Sequence, residues 1–212
     1  SNKAIQMPAS AIRKLVPLAD AAKKQGTKVY HLNIGQPDIK SPKCALDAIK
    51  NFSLENVSYS HSAGLMELRK GLVEKYYKKI GIDITVDELI VTVAGSESVN
   101  LALEIACNPG DEVIVLEPFY TNYNTFAFMN GLTLKAISTD IKNGFQVPPI
   151  EEFEKAITDK TKAILVCNPG NPTGTLYSKE SMLALGEIAR KHDLFLLSDE
   201  VYREFCYTDE PH

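Results

Sequence analysis

Short apolar runs alternate with helix-patterned stretches from residue 89 to residue 197, and this alternation limits the possible folds more than any other feature of the chain. The runs have the length and residue types of buried strands, and they lie at 89–93, 112–116, 133–137, 163–166 and 194–197. Helices are expected between them near 98–107, 121–130, 150–157 and 178–192, with Ser178 as the N-cap of the last. The sequence therefore predicts an α/β fold, in which a largely parallel sheet carries helices on both faces.

Before residue 89 the apolar pattern is that of helices and connecting segments. Pro17 interrupts an amphipathic stretch that stops at Gly26, which predicts a kinked helix. A short extended piece is expected at 29–34. Apolar residues then recur at helical spacing between 65 and 80 and stop at Gly81, which predicts a second helix.

The distribution of charge and of reactive residues disfavours several kinds of site and partner. The formal net charge is -4 and the basic residues form no block, so neither nucleic acid nor an anionic membrane is expected as a partner. No apolar stretch approaches the roughly 20 residues that span a bilayer, and no signal sequence is recognisable, which favours a cytoplasmic protein. The four cysteines and four histidines are scattered, so we expect no metal site and no catalytic triad.

Polar motifs follow directly after two of the predicted strands. The string NPGNPTG occupies 168–174, and SDEVY occupies 198–202. Both should lie at the carboxyl ends of parallel strands, which is the edge where open α/β sheets bind ligands. A third segment, AGSES at 94–98, joins a strand to a helix whose first N–H groups can receive a phosphate.

The residues alone leave simpler interpretations open at several of these positions. Asn171 belongs to a string of common turn formers, and Asp199 could cap the following turn or pair with Arg203. Tyr120 could be a core residue, and Tyr59 could lie in a surface loop. Cys167 is expected to be a small apolar residue at a strand end, since no base that would activate it is close in sequence.

Together these motifs resemble the pyridoxal-phosphate domain of fold type I enzymes, and specifically the class I/II aminotransferases related to aspartate aminotransferase. The resemblance implies a cofactor, pyridoxal 5'-phosphate, and a role for each matching residue. Asp199 would pair with the pyridine nitrogen, and Asn171 and Tyr202 would hydrogen-bond the 3'-oxygen. The remaining implied roles are phosphate binding by Gly95, Ser96 and the backbone of Glu97, ring stacking by Tyr120, substrate α-carboxylate binding by Gly35, and contact of Tyr59 with the phosphate of a neighbouring subunit in a homodimer.

The resemblance also implies parts that the 212 residues do not contain. No lysine follows a strand in the S-x-x-K context of the family, so the Schiff-base lysine is expected beyond residue 212, with the substrate-binding arginines and a C-terminal small domain. We therefore expect an N-terminal arm and helix over 1–30 and a truncated large domain over 31–212. This piece alone, which lacks the catalytic lysine, should be inactive.

The family's strand order gives a further expectation. The strands should lie in the order 194–197, 163–166, 112–116, 133–137, all parallel. The run at 89–93 should be separated from 194–197 by two strands from beyond residue 212.

The activity that the resemblance implies is transamination between an amino acid, aspartate-like or broad, and a 2-oxo acid. Two alternatives stay open from the sequence. One is another fold type I reaction, such as a carbon-sulfur lyase or a cyclopropane-forming synthase. The other is a non-catalytic domain that binds the cofactor or an effector.

Overall fold

The structure is a computed structural model that describes residues 1–8, 10, 13–53, 55–205 and 207. Its described residues divide into two compact units, and each is treated by itself below. The sheet unit comprises residues 1–14 and 94–212, and the helical unit comprises residues 15–93. None of the helices in these described ranges is long and apolar enough to cross a membrane.

The described part of the sheet unit is built on four parallel strands. They are β1 (Glu112–Glu117), β2 (Thr133–Ser138), β3 (Thr161–Cys167) and β4 (Phe195–Asp199). Their order across the sheet is β2-β1-β3-β4, and every neighbouring pair is parallel. This is the order expected from the resemblance, and each strand lies within two residues of its predicted bounds.

Helices of the sheet unit cover both faces of the sheet. They are α1 (Asn2–Gln6), α5 (Gly95–Ala106), α6 (Asn122–Asn130), α7 (Ile150–Ala156) and α8 (Lys179–Lys191), with a 3-10 turn at Ile141–Asn143. The side chain of Ser178 accepts a hydrogen bond from the Ser181 N–H and caps α8, as predicted. Each of the last three helices connects two strands, which is the arrangement that parallel pairing requires.

Alternating residues of the central strands divide the core into two layers. On one face Ile114 and Ile164 pack with Phe153 of α7 and Leu185 of α8. On the other face the next residues along the same strands pack against α5 and α6 through Leu103 and Tyr123. Successive side chains of a strand point to opposite faces, so strands that are apolar throughout bury both sides of the sheet.

The carboxylate of Glu112, at the start of β1, bonds residues at and just before the start of β3 and lies close to a lysine of β2. One oxygen of Glu112 accepts hydrogen bonds from the hydroxyls of Thr158 (2.6 Å) and Thr161 (3.3 Å), and the Lys135 ammonium lies 3.5 Å away. The pairing of β1 with β3 shifts by one residue next to Glu112. The Thr158 hydroxyl, followed by Lys135, lowers the pKa of this carboxyl below its ordinary value despite some burial.

The described residues of the helical unit form three α-helices and short 3-10 turns. The helices are α2 (Val16–Lys24), α3 (Lys43–Lys50) and α4 (Met66–Lys75), and the turns include Tyr77–Ile80 and Val86–Glu88. Pro17 lies in the first turn of α2, directly after a 3-10 turn at Arg13–Leu15, so the proline stands where the helix begins and not within it. Proline is tolerated there because the first N–H groups have no partner within the helix. The second predicted helix ends earlier than expected, since Tyr76 departs from helical geometry and a 3-10 turn leads to Gly81.

The predicted strand at 89–93 does not form. These residues belong to no helix or strand, and one of their backbone hydrogen bonds runs from the Val91 N–H to the Ala63 carbonyl at 3.0 Å. The side chains of Ile90 and Val93 are 64% and 93% exposed, so the run is apolar without being buried. The piece at 29–34 is likewise not a strand, because a turn begins at Leu32. The expected spacing between 89–93 and β4 stays a prediction.

Candidate cofactor site

Asp199 ends β4 at the carboxyl edge of the sheet, and its carboxylate has two partners from different elements. One oxygen accepts the hydroxyl hydrogen of Tyr123 at 2.7 Å, and the other accepts the Val201 N–H at 3.2 Å. Its backbone is also fixed, because its carbonyl accepts the Asn168 N–H at 3.0 Å beside β3. Asp199 therefore does cap the following turn, and it also bonds a side chain of α6. Arg203 pairs with Glu200 at 3.1 Å.

Tyr123 was not identified from the sequence. It lies in the first turn of α6, its side chain is 1% exposed, and it belongs to the core layer formed by α5 and α6. Burial, and after it the hydrogen bond to Asp199, raises the pKa of this phenol far above its ordinary value. The hydroxyl consequently stays protonated and donates to the carboxylate.

The loop after β3 is held by one buried amide and brings Asn171 to Tyr202. The side-chain oxygen of Asn168, 3% exposed, accepts the Tyr177 N–H at 2.9 Å. The Asn171 amide then donates to the Tyr202 hydroxyl at 3.2 Å, across 31 positions of sequence. Burial raises the pKa of Tyr202, so its hydroxyl stays protonated near neutral pH.

Helix α5 begins at Gly95, at the other predicted part of the site. Ala94 before it is extended (φ -162°, ψ 171°), and the Glu97 N–H donates to the Ala94 carbonyl at 3.0 Å. The start of a twelve-residue helix carries a partial positive charge and favours an anion. Gly95 and Ser96 therefore stand where a phosphate would be stabilised.

Tyr120 is held on two sides after the end of β1. Its hydroxyl accepts a hydrogen bond from the Asn122 amide at 2.7 Å. Its ring meets the ring of Tyr123 edge to face, with centroids 5.5 Å apart and planes at 87°. Contacts of this geometry restrict the orientation of the Tyr120 ring.

These side chains and the helix start surround one cavity of about 240 Å³ within the sheet unit. Six of the predicted cofactor-binding residues line it: Gly95, Ser96, Tyr120, Asn171, Asp199 and Tyr202. The other lining residues are Ala94, Val99, Phe126, Cys167 and Val201, and none of the described residues in this lining is a lysine. Glu97 is outside the lining. Larger hollows of about 460 and 590 Å³ lie elsewhere on the same unit and contain neither strand-end motif.

Cys167 lies in the wall of this cavity, where its sulfur is 3.2 Å from the Pro169 carbonyl oxygen. Burial, with the nearby Asp199 charge, raises the pKa of this thiol to about 11. A thiol with that pKa is protonated at neutral pH and is a poor nucleophile.

The remaining two predicted site residues, Gly35 and Tyr59, belong to the helical unit. Both are exposed, and the Tyr59 side chain is fully so. Their roles stay predictions.

Comparison with known proteins gives a consistent set of relatives. The sequence model of the family "Aminotransferase class I and II" matches residues 27–212. The chain is 36% identical to an aspartate/prephenate aminotransferase from Thermus thermophilus over 89% of this chain and 49% of that protein. It is 33% identical to an aspartate aminotransferase from Thermotoga maritima over 99% of this chain and 56% of that protein.

Solved structures agree with the sequence relatives. The structure of the Thermotoga maritima aspartate aminotransferase superposes with a TM-score of 0.91 at 33% identity, covering 100% of this chain and 56% of that one. An alanine aminotransferase from Pyrococcus furiosus gives a TM-score of 0.89 at 37% identity, covering 100% of this chain and 54% of that one. The chain therefore spans about half the length of the relatives it matches.

Proposed function

The chain belongs to the class I and II aminotransferase family, whose members depend on pyridoxal phosphate, and we propose that in the complete protein it forms the larger part of the cofactor site for transamination. The substrates proposed are an amino acid, aspartate-like or of broad range, and a 2-oxo acid. One observation carries the proposal: six residues from four separate segments of sequence line a single cavity, with Asp199 fixed by a buried phenol.

The residues present suit pyridoxal phosphate in charge and shape. The cavity combines a helix start for an anion, an oriented tyrosine ring and a carboxylate at a strand end. When bound, the cofactor supplies an electron-withdrawing ring that stabilises negative charge at the substrate's α-carbon. Asp199 would keep a proton on the ring nitrogen, since an opposite charge in contact favours the protonated form by roughly 1–3 pKa units.

The other residues would bind and orient the same group. Asn171 and Tyr202 would donate hydrogen bonds to the 3'-oxygen, and their mutual contact supports that pairing. Gly95, Ser96 and the backbone of Glu97 would hold the phosphate. Tyr120 would stack on the ring, in an orientation that Asn122 maintains.

The finer parts of the proposal concern the whole protein. Gly35 would contact the substrate α-carboxylate, and Tyr59 would reach the phosphate of the second subunit of a cytoplasmic homodimer. The Schiff-base lysine would come from a part of the complete protein outside this chain, in line with the absence of lysine from the described cavity lining. The chain would then contribute an N-terminal arm over 1–30 and a partial large domain over 31–212, and would be inactive alone.

Replacement of Asp199 tests the proposal. In the complete protein, Asp199→Asn should lower kcat for amino transfer from aspartate to 2-oxoglutarate roughly 100-fold or more, because the ring nitrogen loses its counter-charge. The cofactor should stay bound through its phosphate, which its absorbance after gel filtration reports. Glu200→Gln is the matched control, since that neighbouring carboxylate pairs with Arg203 at the surface. Near-normal turnover in Asp199→Asn, or no cofactor in the wild-type protein, would overturn the proposal.

A further inference from the structure

We propose that Tyr123 is a positioning residue that keeps Asp199 aimed, as a carboxylate, at the proton on the ring nitrogen of bound pyridoxal phosphate. The inference rests on the proposed function and adds a residue that none of the strand-end motifs contains. Tyr123 does not line the cavity, so it would act through Asp199 and not on the cofactor itself.

The geometry of Tyr123 leaves its hydroxyl little freedom. The ring lies stacked against Phe119, with centroids 6.2 Å apart and planes at 13°, and it meets the edge of Tyr120 on another side. With the side chain 1% exposed, the hydroxyl has no access to bulk water. Its 2.7 Å contact with Asp199 therefore fixes one carboxylate oxygen, while the Val201 N–H holds the other.

The titratable groups of the cavity lining that face Asp199 are neutral. Tyr202 and Cys167 also face it, and burial raises the pKa of both, so neither carries charge near pH 7. Among the described residues that line the cavity, Asp199 is the only carboxylate. Its charge is consequently stabilised by its hydrogen-bond donors, the Tyr123 hydroxyl and the Val201 N–H.

Removal of the Tyr123 hydroxyl should change the sharing of the proton between Asp199 and the ring nitrogen in one direction. A carboxylate that accepts a hydrogen bond from a phenol is less basic than one without it, because the bond stabilises the charged form. Asp199 and the ring nitrogen compete for one proton. Without the Tyr123 hydroxyl the proton should move toward Asp199, and the ring should become a weaker acceptor of electrons.

The test uses the complete protein reconstituted with pyridoxal phosphate labelled with nitrogen-15 in the ring. In Tyr123→Phe, which keeps the buried ring, the nitrogen resonance should move toward the frequency of unprotonated pyridine. We also expect kcat to fall about tenfold, which corresponds to about 1.4 kcal/mol, with KM nearly unchanged. The cofactor should stay bound.

Three further experiments separate positioning from a general loss of structure. Tyr177→Phe removes another buried phenol, from the core layer on the opposite face of the sheet, and should leave the resonance unchanged. In the Asp199→Asn background, Tyr123→Phe should cause no further shift, because the effect passes through that carboxylate. 3,5-Difluorotyrosine at position 123 replaces the phenol by a stronger hydrogen-bond donor. The ring-nitrogen resonance should then stay at the wild-type frequency or move further toward that of protonated pyridine.

The outcomes distinguish this inference from the function on which it rests. A wild-type protein that binds the cofactor, together with an unchanged resonance in Tyr123→Phe, would overturn the positioning role alone. An equal shift in the presence and absence of the Asp199 carboxylate would overturn it as well. A wild-type protein that does not bind pyridoxal phosphate would overturn both.

Discussion

The buried side chain of Asn168 organises the loop that carries Asn171. Its oxygen accepts the Tyr177 N–H at 2.9 Å, and its own N–H donates to the Asp199 carbonyl at 3.0 Å. One residue thus ties the loop to the strand end that bears the carboxylate. Further along, Gly170 donates to the Thr175 carbonyl at 2.8 Å and closes the loop.

Asn168→Ala should destabilise the chain by about 1–3 kcal/mol, because it leaves the buried Tyr177 N–H without its acceptor. Urea unfolding measures the change. Asn124→Ala is the matched control, since that asparagine is exposed and bonds locally to the Thr121 carbonyl. Equal midpoints for the two variants would show that the buried amide does not stabilise the loop.

Single residues of the site differ in how far the sequence reveals them. Asp199 and Asn171 belong to polar motifs that follow apolar runs, so their place at the carboxyl edge could be predicted from the chain itself. Tyr123 could not, because its partner lies 76 positions away and its own surroundings look like an ordinary helix. Buried contacts of this kind depend on how helices pack on the sheet, and a single sequence carries no local signal for them.

At the scale of elements, strands were predictable where apolar residues fill both faces. Ile114 and Val115 point to opposite sides of β1 and are both fully buried. The run at 89–93 has the same composition, but it does not belong to the four-stranded sheet of the described residues. Strand formation depends on pairing with a neighbouring strand, which composition does not report. Helix α3 was not predicted from the sequence. It begins after Pro42, and proline has no backbone N–H to donate.

The Glu112 carboxylate should make the sheet unit sensitive to acid. Its pKa is lowered in the folded chain, so its contribution is present above the ordinary value of 4.5 and is lost as pH falls through the lower folded value. At pH 7, Glu112→Gln should cost about 1 kcal/mol, since two threonine hydroxyls lose a charged acceptor.

Thermal unfolding at pH 7 and pH 3 checks this. The difference in Tm between wild type and Glu112→Gln should be smaller at pH 3 than at pH 7. Glu104→Gln, on the exposed side of α5, should have the Tm of the wild type at both pH values. An equal Tm difference at both pH values would show that the charge of Glu112 does not stabilise the folded chain.

Two glycines of the helical unit allow steric contact to be separated from backbone strain. Gly64 (φ +93°) and Gly81 (φ +78°) are both left-handed, so alanine costs about 1–2 kcal/mol at either position. A Cβ at Gly64 would also lie 2.6 Å from the Val91 Cβ, whereas one at Gly81 would meet nothing within 4 Å. Gly64→Ala should therefore destabilise the unit by about 1–3 kcal/mol more than Gly81→Ala. Urea unfolding of the two variants measures this, and equal losses would count against the contact with Val91.

At the scale of the whole molecule, the two units differ in how much apolar surface they bury. Every buried apolar side chain in the described part of the chain belongs to the sheet unit. In the described residues of 15–93 only Arg69 is buried, where its guanidinium bonds the Val86 carbonyl. The sheet unit should thus be the more stable of the two.

Hydrogen exchange followed by mass spectrometry should display this difference directly. Amides in the centres of β1 and β3 should exchange most slowly, since opening them exposes both core layers. Amides of 28–42, a stretch without helix or strand, should exchange fastest. Similar rates in the two regions would contradict the unequal burial.

The dispersal of the cavity residues along the chain has a consequence for synthesis. About a hundred residues separate Gly95, at the start of α5, from Tyr202. At an elongation rate of about 5–20 residues per second, roughly 5–20 s pass between their appearances on the ribosome. If the proposed roles hold, during that interval the nascent chain would have the helix start for the phosphate but neither the Asp199 carboxylate nor the Tyr202 hydroxyl. Selective capture of the cofactor would then be a late event in the synthesis of each molecule.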